Sequence, residues 1–315
     1  MTINGVPLSA LIEAVLAAMI LAATPLIFAS IGEAIAERSG LLNLGIEGMM
    51  LGGAFAGFWF AERIDAAWAG VLAGIGTGIA LGLLFGVLTI IVRAEQTLVG
   101  LAITIAGGGA TAFLYRDLYA GSNPSIDAAP LTIRVPYLRD LPVVGDALFS
   151  QPALVYVAFL CVPFAAWFLH RTAPGLAIRA AGDNPFAVDA AGVSVAGTRF
   201  LAIGIAGGMA GLAGAFLSAV DLRVFQEGMT VGQGFIALAL AMLGRWSPWR
   251  ILVGALLFGF LKSAGIGLQL AGVGIRSEFL GMLPYLGVVI ALVLTAGRIG
   301  LPAALGIPYE RGRRS

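Results

Sequence analysis

The amino-acid sequence predicts an all-α protein, a polytopic membrane helix bundle of about nine transmembrane helices with an inverted-topology internal repeat. Of its 315 residues, 59% are hydrophobic and only 11% are charged, and the mean hydropathy is +0.98. A soluble domain carries about 25% charged residues, so a chain this apolar needs lipid as its outer solvent. Two further observations support this fold class. Long runs of the sequence contain few charged residues, which indicates membrane-spanning helices, and two glycine-rich stretches resemble each other, which indicates an internal repeat. No polar stretch is long enough for a separate soluble domain, so we expect a single transmembrane domain over residues 1–315.

The spans follow from the apolar runs, because a bilayer core needs about 20 apolar residues per helix. The run 230–244 is short for a full crossing, which predicts a tilted, broken or re-entrant helix, and 41–61 raises the same question because it opens with Gly45 and Gly48. The predicted spans are 8–31, 41–61, 67–92, 97–115, 152–169, 199–220, 230–244, 250–271 and 279–297.

The orientation is predicted from arginine and lysine in the short loops, which favour the cytoplasm. The C-terminal tail carries Arg311, Arg313 and Arg314, so we expect it inside, together with the segment 170–198 and the loop 245–250. Nine crossings then put the N-terminus outside. The first ten residues contain no basic residue, so the first run is predicted to be a retained helix and not a secretory signal.

Glycines in the third span recur at every fourth position and predict a smooth seam along one helix face. Such seams let helix backbones approach closely in lipid. A dinucleotide-binding fingerprint would instead need a strand, a turn and a helix start, which long apolar runs do not supply. The seam consists of Gly70, Gly74, Gly78, Gly82 and Gly86, and the sixth span has the pairs Gly204 with Gly208 and Gly207 with Gly211.

Two stretches, 25–57 and 207–244, share a long helix, a short polar loop, a glycine-rich start and a helix of methionine and small residues. Because they begin an odd number of spans apart, they predict an inverted repeat, with a first repeat of about 8–115 and a second of about 199–297. Such repeats place a solute path at their interface near the bilayer midplane. The competing interpretation is that glycine-rich membrane helices resemble each other through composition alone.

Four polar residues within apolar runs are candidates for that path. Asn43 and Glu47 are four residues apart and are predicted to share a helix face. They either line the path or tie down a helix start, and the sequence favours neither. Gln233 lies at the glycine-rich start of the second repeat, and Lys262 lies near mid-membrane, where it could meet the solute or pair with a carboxylate such as Glu13.

The segment 170–198 is the longest loop predicted to be cytoplasmic. Asp183 or Asn184 is the predicted N-cap of a short helix over about Pro185–Ala191, with a proline in its first turn. A short exposed helix carrying Phe186 suits docking against a partner protein. Arg179 is also expected to pair with Asp183 one turn later.

Three segments carry a family resemblance. They are RAAGDNPFAVDAAGVSV in the loop, GLLNLGIEGMMLGGAFAG near the start and GQGFIALALAMLGRWSP in the second repeat. They resemble the permease superfamily of simple-sugar, nucleoside and branched-chain amino-acid ABC importers, and fit best the shorter permease of the nucleoside-type importers. The loop 170–198 is then the cytoplasmic coupling loop. The residues to which the resemblance assigns ATPase coupling are Arg179, Gly182, Asp183, Asn184, Pro185, Phe186 and Gly192.

The resemblance also implies the partners: a second homologous permease, cytoplasmic ATPase subunits and an external solute-binding lipoprotein or protein, in a bacterial cytoplasmic (inner) membrane. The only lysine is Lys262, so the chain lacks the lysine-containing phosphate loop and a partner must hydrolyse ATP. The outer loop 116–151 is proline-rich and long for a connector, which favours a docking platform for the binding protein.

One histidine and one cysteine predict no metal site, no catalytic triad and no cofactor, so we do not expect an enzyme. The near-zero net charge of +1 gives no indication of nucleic-acid binding. The alternatives are a simple-sugar ABC permease, an ion-coupled secondary transporter, which would also have inverted repeats and buried carboxylates, and a membrane scaffold.

Overall fold

The fold is described from a computed structural model of the chain. It describes residues 2–3, 6–122, 124–139, 141, 144–270, 276–295 and 300–310. The tail arginines Arg311, Arg313 and Arg314 lie outside the described residues, as do the last residues of the spans predicted to end at 271 and 297.

The chain forms a helical bundle with two pairs of very short antiparallel strands. Strand β1 pairs with β2 and β3 with β4. Helices α3 and α9 each continue into a π-helical segment, 87–91 and 216–221 respectively. The elements are β1 Thr2–Ile3, β2 Val6–Pro7, α1 Leu8–Arg38, α2 Ile46–Ile64, α3 Ala67–Gly86, α4 Gln96–Tyr119, β3 Thr132–Arg134, α5 Gly145–Phe149, β4 Ser150–Pro152, α6 Ala153–Arg171, α7 Ala173–Asp183, α8 Pro185–Ala190, α9 Val195–Ala215, α10 Gln233–Leu243, α11 Pro248–Leu270 and α12 Ser277–Thr295.

Within the described residues, six helices are long and apolar enough to cross a membrane, which confirms the prediction of a helical membrane protein. They correspond to α1, α3, α4, α6, α9 and α11. Two shorter apolar helices lie at 233–243 and 278–293. Helix α10 has 11 residues, and at about 1.5 Å per residue it covers only about half of a bilayer core.

Several elements differ from the sequence prediction, and α1 continues past its predicted end at residue 31 to Arg38. Helix α2 begins at Ile46, because residues 41–45 form a non-helical segment before it. Helix α7 was missed, since its residues were assigned to the loop 170–198, although Pro174 lies in its first turn. Proline is tolerated in the first turn of a helix, and the Thr172 hydroxyl accepts a hydrogen bond from the Gly175 N–H at 3.1 Å.

Ionic and polar contacts join the loops at one end of the bundle. The Trp246 indole N–H after α10 donates to the buried Glu37 carboxylate near the end of α1. Arg93, after α3, pairs with Glu310 near the C-terminus at 3.0 Å. These residues all come from the loops that the sequence predicts on a single side.

The opposite end has its own contacts. Tyr119 donates to Glu62 at 3.2 Å, which links α4 to α2. The Arg116 Nε–H donates to Glu227 at 2.6 Å, and this hydrogen bond lowers the pKa of the Glu227 carboxyl. The outer segment 116–151 contains β3, α5 and β4, and it therefore has secondary structure of its own.

The core consists of α1, α2, α3, α9, α10 and α11. Helix α1 packs on α9, α10 and α11, and helix α9 packs on α1, α2 and α3. Thus α1 and α9 contact each other, and each also contacts one of the six candidate spans, which is α11 for α1 and α3 for α9. The third partner is a helix outside those six, which is α10 for α1 and α2 for α9.

The predicted glycine seam of α3 is confirmed as a site of backbone contact. A Cβ atom on Gly78 would lie 2.0 Å from the Gly207 carbonyl oxygen, and one on Gly211 would lie 2.1 Å from the Gly74 oxygen. Of the two pairs predicted in α9, only Gly207 and Gly211 touch α3 backbone. Gly204 has a single side-chain neighbour, at 3.9 Å.

We predict that Gly78→Val disrupts the α3–α9 contact, because added methyl groups have no space at a backbone crossing. Overpacking costs about 1–3 kcal/mol or more, so the purified protein should lose monodispersity and unfold at a lower temperature in detergent. Gly76→Val is the matched control, since a Cβ at Gly76 meets nothing within 4 Å. Equal thermal stability of the two variants would contradict the packing role.

Candidate functional site

The Glu47 carboxylate in the first turn of α2 binds the beginning of α10. Its Oε1 accepts hydrogen bonds from the Thr230 hydroxyl at 2.5 Å and from the Gly232 N–H at 2.8 Å. Its Oε2 accepts a hydrogen bond from the Gly234 N–H at 2.6 Å. One side chain therefore joins two helices that start inside the bundle.

This contact satisfies groups that lipid cannot satisfy. The first N–H groups of a helix have no partner within the helix, and the partial positive charge at its N-terminus favours an anion. Glu47 is only 6% exposed. Gly234 permits the approach, since a Cβ there would lie 2.6 Å from the Glu47 Cα atom, and Gly232 takes a φ of +77° that favours glycine.

Asn43 lies in the non-helical segment before α2, so the prediction that it shares a helix face with Glu47 is wrong. Helix α2 starts three residues later, because the Asn43 side chain itself holds the turn: its Oδ1 accepts from the Gly45 N–H at 3.0 Å. The Asn43 Nδ2 donates to Glu33 Oε2 at 3.2 Å. The geometry fits the interpretation in which Asn43 and Glu47 tie down helix starts.

Sequence reasoning missed the acidic pair Glu33 and Glu37 in α1. Both side chains are fully buried, Glu33 against Asn43 and Glu37 against Trp246. The signal was available, since two glutamates four residues apart at the end of an apolar span share one helix face. Through these two glutamates the end of α1 contacts the segment before α2, at Asn43, and the segment between α10 and α11, at Trp246.

Gln233 and Lys262, the other two path candidates, line one cavity of about 300 Å³ between α10, α11 and α12. The buried Gln233 Oε1 atom has no hydrogen-bond partner. Lys262 is exposed and interacts through space with the Asp221 carboxylate. Within the described residues, Lys262 forms no ion pair or hydrogen bond with Glu13, the carboxylate suggested by the sequence.

The predicted coupling helix is present as α8, and Asn184 is its N-cap: the Asn184 Oδ1 accepts from the Ala187 N–H at 3.1 Å. Phe186 is 41% exposed, and its ring lies 5.3 Å from that of Tyr309. Pro185 occupies the first position of the helix.

Gly182 and Asp183 end α7 against the end of α1. A Cβ atom on Gly182 would lie 2.2 Å from the Arg38 carbonyl oxygen, so the close approach requires glycine. The Asp183 carboxylate interacts through space with Arg38. The predicted Arg179–Asp183 ion pair does not occur in this described stretch, and the exposed Asp183 lines the cavity beside α8. Gly192, after α8, has a φ of +79°.

The residues 300–310, which we call the C-terminal strap, cross this end of the bundle. The Ala304 N–H donates to the Gly182 oxygen at 2.8 Å, and the Gly306 N–H donates to the Gly40 oxygen at 3.0 Å. The buried Arg199 side chain donates to the Ile307 oxygen at 3.2 Å. The strap therefore contacts the ends of α1 and α7 and the start of α9.

Sequence reasoning did not predict the strap. Its signal is weak, since prolines and a glycine break any periodicity over 302–308. A cavity of about 560 Å³ lies between the strap and α8, with Arg93, Asn184 and Phe186 among its lining residues. Of the elements around this cavity, the sequence had predicted the helix α8 but not the strap.

Comparison with known proteins identifies the class. The family described as "Branched-chain amino acid transport system / permease component" matches residues 15–297. The chain belongs to this family and is a permease subunit of an ABC transporter, as predicted.

Three relatives align over nearly their whole length. The guanosine ABC transporter permease protein NupQ of Bacillus subtilis is 33% identical over 96% of this chain and 98% of its own. The nucleoside ABC transporter permease protein NupC of Lactococcus lactis is 32% identical over the same shares, 96% and 98%. TsgC13 of Haloferax volcanii, a candidate glucose ABC transporter permease protein, is 37% identical over 93% of this chain and 96% of its own.

A solved structure has a similar fold. A metal-chelate type ABC transporter in an inward-facing conformation matches with a TM-score of 0.50 and 19% identity. The match covers 88% of this chain and 84% of the other. At this level of identity the likeness concerns the fold alone.

We predict that Glu47→Ala destabilises the protein, because it leaves the Gly232 and Gly234 N–H groups at the start of α10 without a partner. Each hydrogen bond to a charged group contributes about 1.5–3 kcal/mol, so the unfolding temperature in detergent should fall by several degrees. Glu47→Gln retains one acceptor oxygen, so its unfolding temperature should lie between those of the wild type and Glu47→Ala. A Glu47→Ala protein as stable as the wild type would refute the proposed link between α2 and α10.

Proposed function

We propose that this chain is the membrane-spanning permease of an ATP-driven importer for nucleosides. The support comes from two relatives named for guanosine and nucleoside transport that align over 96% of the chain. The chain carries no cofactor of its own in this proposal, and a partner subunit hydrolyses the ATP.

The proposed ATPase docking surface is the pair α7 and α8 with the strap beside them. Phe186 offers an exposed apolar side chain at the surface, and Asn184 and Pro185 fix the start of its helix. Arg179, Gly182, Asp183 and Gly192 have supporting roles in the shape of this surface. An ATPase subunit that moves α8 would also move the strap, because the Phe186 and Tyr309 rings are in contact.

The proposed solute path runs beside the starts of α2 and α10. Nine crossings and an inverted repeat remain our interpretation, and the packing of α1 on α10 and α11, alongside that of α9 on α2 and α3, supports it. In such transporters, broken helices meet near the midplane and one bundle rocks against the other. Glu47 would hold the two starts together during that motion.

The proposed orientation places α7, α8 and the C-terminus in the cytoplasm of a cell with an inner membrane. It rests on the arginines predicted at that end. The opposite end, with the outer segment 116–151, would then receive an external solute-binding protein. A second homologous permease completes the membrane part of the complex.

A simple-sugar ABC permease is the second candidate, favoured by the 37% identity to TsgC13. The ion-coupled secondary transporter considered from the sequence is disfavoured, because the chain belongs to an ABC permease family. The solute separates the two remaining candidates.

We predict ATP-dependent uptake of guanosine or uridine by proteoliposomes that contain the full complex with its ATPase, second permease and binding protein. Excess glucose should not compete, and dissipating the proton and sodium gradients should leave uptake intact while ATP is present. Glucose uptake without nucleoside uptake would favour the sugar candidate. Uptake that stops with the ion gradients would favour the secondary transporter.

We predict that Phe186→Asp abolishes ATP-driven uptake while membrane insertion persists, because a charge replaces an apolar contact with the ATPase. Uptake should fall at least about tenfold, which corresponds to about 1.4 kcal/mol. Phe186→Leu is the matched control and should retain most of the uptake, since it remains apolar. Full uptake by correctly inserted Phe186→Asp protein would rule out the coupling role.

A further inference from the structure

The cavity between α10, α11 and α12 has the properties of a ligand site. It measures about 300 Å³, which is at the small end of the range for small-molecule pockets, about 300–1,000 Å³. Its lining is mostly apolar, with only a few polar side chains, as in sites that fix the orientation of a ligand. The polar ones are Gln233, Lys262, Gln269 and Tyr285.

Gln233 contributes an unpartnered acceptor. The residue is 7% exposed, it lines the cavity, and its Oε1 atom has no hydrogen-bond partner. Leaving a buried acceptor without a donor is energetically unfavourable. An N–H group of a ligand at this position, reached by a small rotation of the side chain, would remove that cost.

Lys262 contributes the complementary donors. An ammonium group has three N–H donors and no acceptor, and in the described part of the chain Lys262 makes no hydrogen bond or ion pair. Its through-space interaction with Asp221 offsets the charge without occupying its donors. A lysine at this depth requires an acceptor on whatever fills the cavity.

Two aromatic rings form part of the wall. Phe258 and Tyr285 lie 6.0 Å apart between centroids in an edge-to-face arrangement, and both line the cavity. Aromatic side chains offer flat apolar surfaces on which a nucleobase can stack. A hexose, which has hydroxyl groups all around its ring, would find too few polar partners here.

We propose that this cavity binds the nucleobase of the solute and selects bases that present a carbonyl next to a ring N–H. Lys262 donates to the carbonyl oxygen, and the Gln233 Oε1 atom accepts from the N–H. Guanine, hypoxanthine and uracil have this edge. Adenine and cytosine present an amino group next to a ring acceptor, which places donor against donor at Lys262. This inference rests on the proposed nucleoside transport.

The first test measures uptake of labelled inosine and adenosine by the reconstituted complex with an unchanged binding protein. Lys262→Met and Gln233→Leu should each lower the transport efficiency for inosine about 10- to 100-fold, as expected for a lost hydrogen bond to a charged or buried group. Lys262→Arg keeps the positive charge and the N–H donors and should retain more inosine transport than Lys262→Met, although the larger guanidinium group fills more of the cavity. Adenosine uptake should change less than inosine uptake in every variant.

The second test does not depend on transport. In a Cys161→Ala background that keeps Lys262, Gly281→Cys should react with a water-soluble thiol reagent, because Gly281 lines the cavity and a Cβ atom there meets nothing within 4 Å. Inosine should slow that reaction at least about tenfold more than adenosine does. Leu268→Cys is the control, because Leu268 is exposed but does not line the cavity. Inosine should leave its labelling rate unchanged.

The outcomes separate this inference from the proposed function. A wild-type complex that transports no nucleoside would refute the proposed function. Nucleoside transport that is unchanged in Lys262→Met and Gln233→Leu would refute only the base site. Failure of the reagent to reach Gly281→Cys would refute the site and would indicate a cavity filled by lipid. Equal protection by inosine and adenosine would refute the proposed selection between bases.

Discussion

The hydrogen bonds that Glu47 accepts from the start of α10 and the residues just before it constrain the depth of both helices. Inside a membrane no water is available for the free N–H groups of a helix start. Helix α10 can therefore begin within the bundle only where the protein itself provides a hydrogen-bond acceptor. A carboxylate at that depth in turn needs donors. The N–H groups provide the donors that the carboxylate needs, and the carboxylate provides the acceptor that the N–H groups need. These hydrogen bonds join the start of α2 to the start of α10.

The glycine contacts follow from this constraint. With Glu47 bound to α10, helix α2 also lies in backbone contact with α9, since a Cβ atom on Gly214 would sit 1.9 Å from the Met50 oxygen. A Cβ atom on Gly53 would sit 2.4 Å from the Gly211 Cα atom. Helix α3 then fills the groove that α2 and α9 leave, through Gly74 and its neighbours in the seam. In lipid the hydrophobic effect does not drive helices together, so close packing depends on small residues that let the backbones approach each other.

Sequence patterns predict the parts of this arrangement that repeat locally. The seam of α3 and the cap of α8 at Asn184 follow from spacing and residue type, and the structure has both. The partner of Glu47 does not follow, because it lies 183 residues away and no local period encodes that pairing. The start of α2 was placed too early for a related reason: hydropathy continues through 41–45, whereas the hydrogen bond from Gly45 to Asn43 ends the turn.

The C-terminal strap gives the two sites a physical connection. Phe186 on α8 touches Tyr309, and the strap binds Gly40. Gly40 begins the segment that carries Asn43 to the start of α2, where Glu47 holds α10. A continuous series of direct contacts therefore joins α8 to the helix starts beside the proposed solute path. Because packed interfaces shift between discrete arrangements and do not deform smoothly, a displacement of the strap would move the segment before α2 as a unit. In the proposed coupling role, the strap would connect the six-residue helix α8 to the carboxylate buried inside the bundle.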